Sequence, residues 1–479
     1  MSFVSNVKTM LGGFALAQII PLLAVPVLTR LYTPEAFGLQ LLFMGVVAVL
    51  VIACTLRLDL ALQLAADEKE GGLLISLISL LTLIVLMVLI AGIVIFGEPI
   101  SAKLGHSGQS MWMWFALPMT AATVFMQVAT SLLTRQKRFG PIARTNVYNQ
   151  VGYVAFAFSA GPFLGALGLV AAKLAGQLVG ISLVLRYVAS NIYRYFRIPT
   201  PDDVRVLWNR FHQFVVFNAP YSLIGTAARD MPIYVFSTTG AAAAAGFYGL
   251  SRTVLSVPML LATAGLSQVF YREAIEYRGA MRIETTARAL LRLTLCGLAP
   301  LFVFVCVWGD VVFVVLFGTK WLEAGIYAMI LAPAAWLSVQ TSWPERLFEV
   351  AGRQEVSFKV QMTFDMLTAI VVILPLMAGE NPIISVIGFA VVNCVYHLVY
   401  LTAIFSVSGF SKWHLQRLLF EGMATLLLSC SVFALVRNFL IPGLAGAVVC
   451  AFVAVAISVV LVLKSARDVG ALLGKEETT

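Results

Sequence analysis

Residues 72–96 read GLLISLISLLTLIVLMVLIAGIVIF, an apolar run with charged residues on both sides of it. A helix of about 20 such residues crosses the ~30 Å hydrocarbon core of a membrane, so the run predicts a transmembrane segment. By the same criterion the chain contains about fourteen apolar runs. The 479 residues are 60% hydrophobic and only 11% charged, which excludes a soluble domain with a single anchor. The predicted fold class is therefore an all-α polytopic membrane protein with about fourteen transmembrane helices.

Lysine and arginine residues fall mainly in alternate gaps between the apolar runs. The opposite gaps hold only Arg30, Lys103, Lys320 and Arg437. Because loops rich in Lys and Arg stay in the cytoplasm, both termini are predicted to be cytoplasmic. The net charge of +9 follows from the same bias beside an anionic leaflet, and it needs no nucleic-acid partner to explain it.

The sequence carries no recognisable enzyme signature. The six cysteines all fall within predicted spans without metal-ligand spacing, so they are expected to be packing residues. There is no G-x-x-x-x-G-K-[ST] phosphate loop and no gap long enough for a folded extracellular domain. We therefore expect a protein that is not an enzyme and has no bound cofactor. A polytopic membrane protein without its own ATPase domain can act as a transporter only by using a proton or sodium gradient, a partner, or the gradient of its substrate.

A weak internal repeat predicts two lobes. An outgoing helix with a proline, a polar turn and an aromatic–Gly start occur at Pro26 with Phe37-Gly38, and again at Pro232 with Tyr248-Gly249. Because an even number of spans separates the copies, the two halves share one orientation. The expected architecture is two six-helix lobes around a central cavity, in the divisions 1–200 (N-lobe), 201–410 (C-lobe) and 411–479 (two further helices and a cytoplasmic tail).

Basic residues inside the spans point to a charged cavity. A cation at mid-membrane costs about 2.5–3.5 kcal/mol, so it usually faces a bundle interior or a wet cavity. The planar guanidinium group binds phosphate oxygens through two bonds, which suits a diphosphate. The predicted cavity residues are Arg30, Arg57, Lys173, Arg229 and Arg252. Arg57 is expected within the inner half of the second helix, and the alternative for Arg30 and Lys173 is snorkelling to the outer interface.

Three acidic residues are candidates for ion coupling: Asp59, Asp230 and Asp365. A buried carboxylate in a transporter can bind a proton or a sodium ion and couple its gradient to transport. The alternative is that these residues act as counter-ions to the arginines. The residue types and their spacing leave both interpretations open.

Several stretches resemble one known family. They are LTRLYTPEAFG (28–38), RLDLALQL (57–64), RQKRFGPIARTNVYNQ (135–150), GFYGLSRTVLSVPMLLATAGLSQVFYREA (246–274) and LFGTKWLEAGIYAMILAPAAW (316–336). Together and in this order they resemble bacterial polysaccharide flippases, the lipid-linked oligosaccharide exporters of the MATE-like superfamily.

The resemblance implies two six-helix lobes and a substrate of undecaprenyl diphosphate carrying a short glycan, moved to the outer leaflet of the bacterial cytoplasmic (inner) membrane. Cavity arginines of such flippases engage the diphosphate, and Arg30, Arg57 and Arg252 fall in the matching stretches. Residues 415–463 correspond to an extra helix pair that implies a groove for the polyprenyl tail. Membrane lipids and a polysaccharide polymerase complex are the expected partners.

Three other functions are compatible with parts of the sequence. A multidrug/ion antiporter of the same superfamily favours cationic drugs and an acidic cavity, whereas the intramembrane balance here favours cations. A membrane polymerase or ligase needs a large outer loop for its catalytic residues. A peptidoglycan-precursor flippase shares the architecture, but the TPEAFG and FGTKWLEAG stretches favour the polysaccharide branch.

Overall fold

The computed structural model describes residues 3–103, 110–195, 199–262, 266, 270 and 280–474. Over these residues the chain is helical and contains no strand. Ten helices in this part are long and apolar enough to cross a membrane, judged by length and composition. The predicted all-α polytopic fold is confirmed, while the number of fourteen helices stays a prediction.

The chain divides into two compact units, Met1–Gly246 and Phe247–Thr479. The lobe boundaries predicted from sequence stay a prediction. The helices of the first unit are α1 (Phe3–Leu31), α2 (Pro34–Thr55), α3 (Leu58–Ala61), α4 (Glu68–Lys103), α5 (Met111–Trp114), α6 (Ala116–Arg135), α7 (Phe139–Ser159), α8 (Gly168–Tyr195), α9 (Pro201–Gln213) and α10 (Ala219–Thr238). Helix α11 (Ala242–Leu255) crosses the division.

The second unit continues after α11. Its helices are α12 (Val257–Ala262), α13 (Ala280–Phe317), α14 (Leu322–Ser342), α15 (Leu347–Val350), α16 (Gln354–Met377), α17 (Pro382–Val407), α18 (Lys412–Leu435) and α19 (Gly443–Gly474). Helix α13 packs along α14, α18 and α19, and α17 packs along α16 and α14. The core between α13, α18 and α19 contains Trp308, Phe433 and Ala454, each fully buried.

In the first unit, α7 packs along α1 and α8, and α2 packs against α6 and α10. Beside the α1–α7 contact, the hydroxyl of Tyr32, the residue after α1, donates a buried hydrogen bond of 2.8 Å to the carbonyl oxygen of Ala157 on α7. Such a bond between apolar helices satisfies a buried hydroxyl that cannot form a hydrogen bond with water.

The TPEAFG stretch starts α2, and three of its residues have an identifiable role there. Thr33 is the N-cap, with its Oγ1 accepting from the backbone N of Ala36, and Pro34 takes the first helical position. A proline there loses no helix bond, because the first N–H groups of a helix have no partner. Gly38 lies so close to the carbonyl oxygen of Ala242 that a Cβ at this position would collide with it. The start of α2 therefore requires glycine for backbone-to-backbone packing with the start of α11.

The sequence predicts that the second apolar run forms one helix through Arg57, and this prediction is wrong. Helix α2 ends at Thr55, and Leu56 and Arg57 turn the chain before the short helix α3. A 3-10 turn (Leu62–Leu64) then leads to α4. Arg57 therefore lies at a helix break and not on a helix face. We refer to residues 56–67, between α2 and α4, as the inner break.

Candidate functional site

The backbone of the inner break is strained at its first two residues, Leu56 and Arg57. Leu56 has φ 47° and Arg57 has φ 62°, so two consecutive residues with side chains adopt the left-handed conformation. That conformation costs roughly 1–2 kcal/mol for each non-glycine residue. It persists only where the surrounding structure holds it, and such positions cluster at functional sites.

The Arg57 side chain reaches helix α10. Its Nε donates a hydrogen bond of 2.8 Å to the hydroxyl oxygen of Ser222, and this hydroxyl donates to Oδ1 of Asn218 at 3.3 Å. Asn218 ends a π-helical turn that starts at Phe214. Pro220 explains this turn, because it has no N–H to bond the carbonyl of Val216 four residues earlier. Ser222 and Asn218 are not among the residues predicted from the sequence, although two polar residues one helical turn apart in an apolar helix are a usable signal.

Arg229 and Asp230 lie further along α10. Arg229 follows Ser222 by seven residues, so it lies about 10 Å further along nearly the same helix face. The Arg229 side chain is exposed and Asp230 is half-buried. The inner break and α10 thus bring Arg57 and Arg229 to one side of the first unit. These are two of the five predicted cavity cations.

Asp59 lies on α3, two residues beyond Arg57. Asp59 is 4% exposed, and its Oδ1 has no hydrogen-bond partner among the described residues. A buried carboxylate oxygen without a partner is costly, so such a group is suited to take up a proton or a small cation. The ion-coupling role of Asp59 stays a prediction.

Lys173 contacts an aromatic ring within the first unit. Its Nζ lies 3.8 Å from the centroid of the Tyr153 ring, a cation–π geometry between α8 and α7. The Tyr153 hydroxyl accepts a hydrogen bond of 3.4 Å from Nε2 of Gln40 on α2. Lys173 therefore belongs to a polar cluster where three helices meet, which the sequence does not indicate.

The other predicted site residues lie in different elements. Arg30 is exposed in the last turn of α1. Arg252, in the last turn of α11, and Asp365, on α16, are half-buried and belong to the second unit. A joint site formed by all these residues stays a prediction.

The described residues contain no cluster of His, Cys, Asp and Glu able to hold a metal ion. A cavity of about 180 Å³ lies at the N-terminal end of α4 and the C-terminal end of α6, with Glu68, Gly71 and Arg135 in its lining. None of the predicted site residues lines this cavity. The candidate site of the first unit is therefore centred on the inner break and α10.

A family model described as a polysaccharide biosynthesis protein matches residues 27–326. The chain belongs to this family. The match covers more than half of the chain, including the TPEAFG start of α2, the inner break and Arg252. The family resemblance noted in the sequence is confirmed.

Solved structures show the same fold at low sequence identity. The lipid II flippase MurJ in an inward closed conformation matches with a TM-score of 0.71 and 14% identity, covering 97% of this chain and 99% of that chain. An inward-facing multidrug resistance MATE family transporter of the MOP superfamily matches with a TM-score of 0.62 and 14% identity, covering 85% and 96%. A MOP superfamily transporter from Pyrococcus furiosus matches with a TM-score of 0.52 and 14% identity, covering 87% and 95%. No curated protein sequence matches the chain. The fold is that of MOP-superfamily transporters.

Proposed function

We propose that this chain is a flippase for a lipid-linked saccharide. Its substrate is an undecaprenyl-diphosphate-linked oligosaccharide, moved by alternating access from the inner to the outer leaflet of the bacterial cytoplasmic membrane. The product serves the synthesis of O-antigen, capsule or exopolysaccharide, beside a polysaccharide polymerase. Both termini lie in the cytoplasm. Membership of the polysaccharide biosynthesis family, together with a transporter fold, is the observation that carries the proposal.

The chemistry of the basic residues supports a diphosphate head group. Arg57 is half-buried at the strained start of the inner break, and Arg229 lies on α10. Both residues belong to the first unit. Guanidinium groups bind phosphate oxygens through two parallel bonds, and a partly dry environment strengthens this attraction. In the proposed mechanism Arg30, Arg57, Lys173, Arg229 and Arg252 neutralise the diphosphate, while the polyprenyl tail stays in the bilayer.

Ion coupling is the second part of the proposal. Asp59 combines burial with an unpartnered oxygen and lies two residues from Arg57. Binding of a proton or sodium ion at Asp59 would alter the charge beside Arg57, and so couple an ion gradient to the diphosphate. Asp230 and Asp365 are the other coupling candidates.

Two rival functions make different predictions. A drug antiporter of the same fold takes cationic substrates, which the cations of the first unit repel. A peptidoglycan-precursor flippase moves a different glycan, so its loss would stop growth without removing a surface polysaccharide.

The deciding experiment is deletion of the gene, with mass analysis of polyprenyl-linked saccharides and a surface-polysaccharide assay. We expect complete single glycan units to accumulate on undecaprenyl diphosphate in the inner leaflet while the surface polymer disappears. The accumulated unit identifies the glycan. Normal surface polymer without any accumulating intermediate would overturn the proposal.

Variants then test the residues in the complemented deletion strain. Arg57→Ala should reduce surface polymer at least tenfold at an unchanged protein level, while Arg57→Lys should keep partial export. Arg353→Ala is the matched control, since its side chain is 57% exposed in a loop before α16.

For Asp59→Asn we expect export that no longer depends on the proton or sodium gradient, and an unchanged dependence would remove Asp59 from the coupling role.

A further inference from the structure

Helix α9 is joined to the inner break by one arginine. Nη1 of Arg210 donates to both carboxylate oxygens of Glu70, at 2.7 and 2.8 Å, and Nη2 donates to the carbonyl oxygen of Leu64 at 3.3 Å. Arg210 therefore bonds the end of the 3-10 turn and the first turn of α4 at once. We call the set Arg210, Glu70 and Leu64 the clamp.

Glu70 also bonds the inner break directly. The backbone N of Ala66 donates to its Oε2 at 2.6 Å, and the backbone N of Glu70 donates to Oδ1 of Asp67 at 2.7 Å. The Glu70 side chain is only 14% exposed. The carboxylate therefore connects the last residues of the inner break to Arg210, and a charged acceptor strengthens each of these bonds.

The other end of the inner break is bonded to the same stretch of chain. Arg57 donates to Ser222, which follows α9 by the π-helical turn Phe214–Asn218. The stretch 210–222 thus holds residues 64–70 through Arg210 and Arg57 through Ser222. Both ends of the inner break are therefore bonded to one continuous stretch of chain.

We propose that Arg210 and Glu70 are positioning residues, which keep Leu56 and Arg57 in the left-handed conformation and so set the direction of the Arg57 side chain. Without the clamp, the strained residues can relax toward an ordinary helical or extended backbone, because the strain persists only while the surroundings oppose it. This inference rests on the proposed role of Arg57 in binding a diphosphate.

The test uses the purified full chain in lipid nanodiscs. Hydrogen exchange is measured by mass spectrometry on the peptides that cover residues 55–67. Binding of geranylgeranyl diphosphate is measured in parallel as the probe for the head group. For Arg210→Gln and Glu70→Gln we expect exchange in the inner break to rise about tenfold, as local opening becomes easier, and the affinity for the probe to fall by a similar factor.

Two controls separate positioning from a general loss of structure. Arg210→Lys keeps the charge opposite Glu70 and should restore part of both readouts. Arg205→Gln removes an exposed arginine from the same helix and should leave both unchanged. The exchange of peptides from α13 reports on global unfolding in every variant.

Each outcome decides a different claim. Unchanged exchange in the inner break of Arg210→Gln would overturn the inference, and so would raised exchange with undiminished binding of the probe. Arg57→Ala is measured in the same series. Normal probe binding by Arg57→Ala would remove the proposed role of Arg57, while the exchange data would still decide whether the clamp holds the break.

Discussion

At the scale of single residues, Leu56 has the backbone of a glycine without being one. Its φ of 47° ends α2, and its backbone N bonds the carbonyl oxygen of Ile52 at 2.8 Å. This geometry closes the helix as a left-handed cap does, a position where glycine is usual because it has no Cβ. The side chain present here therefore adds strain that the local chain alone would not retain.

The identity of residue 56 should therefore control stability. For Leu56→Gly we expect at most a small loss of stability, because relief of the left-handed strain offsets the lost packing. Leu56→Val should destabilise the protein by about 1–3 kcal/mol, since a β-branched side chain fits this conformation poorly. Thermal unfolding of the purified variants measures the difference. Equal melting temperatures for the two variants would contradict the assigned backbone.

Gly38 provides a second prediction at the same scale. A Cβ at Gly38 collides with the carbonyl oxygen of Ala242, whereas a Cβ at Gly92 on α4 meets nothing within 4 Å. Gly38→Ala should cost about 1–3 kcal/mol through overpacking. Gly92→Ala should be neutral or slightly stabilising, because alanine is the better helix former. The measurement is the melting temperature of each variant, and a stable Gly38→Ala protein would refute the close approach of α2 and α11.

At the scale of elements, α9 has an apolar face wider than its contact with the rest of the first unit. Leu207 and Phe211 are each 3% exposed on the packed side. Val204 and Trp208, on the adjoining part of the helix surface, are 37% and 50% exposed. An exposed tryptophan beside an apolar stripe is typical of a helix that lies at the membrane interface.

We therefore expect Trp208 to lie at the depth of the lipid head groups. A fluorescent label on Trp208→Cys, with the native cysteines replaced by alanine, should be quenched several-fold more by nitroxide-bearing lipids than a label on Asn209→Cys. Asn209 is the matched control because it is exposed on a different face of the same helix. Equal quenching at the two positions would show that α9 stands away from the bilayer.

At the scale of the whole molecule, the topology rests on the distribution of basic residues. The gap around Lys320 is predicted to be outside and the gap around Arg353 to be inside. Thr319 and Gln354 are exposed residues in these two gaps. In intact cells, an impermeant maleimide should label Thr319→Cys, and it should label Gln354→Cys only after permeabilisation. The reverse pattern would invert the predicted orientation.

The sequence predicts the elements of the fold well, for a physical reason. A membrane span can be recognised from the length and hydropathy of an apolar run. The TPEAFG start of α2 contains the N-cap threonine, the proline of the first turn and the glycine that contacts α11. The candidate site was harder to predict. The sequence indicates Arg57 and Asp59 as charged residues at the membrane, but it places Arg57 on a continuous helix and overlooks Ser222, Asn218, Glu70 and Arg210.

The sequence by itself thus determined the polytopic all-α class and the family, because apolar length and short turn motifs are local properties. Only the tertiary structure decided where α2 breaks and which distant residues bond to the break. Leu56 and Arg57 carry no local signal for a left-handed backbone, since neither residue prefers it. The hydrogen bonds near the two ends of the inner break join residues that are 140 and 165 positions apart, Arg210 with Glu70 and Ser222 with Arg57. Contacts at such separations arise only when the helices have packed.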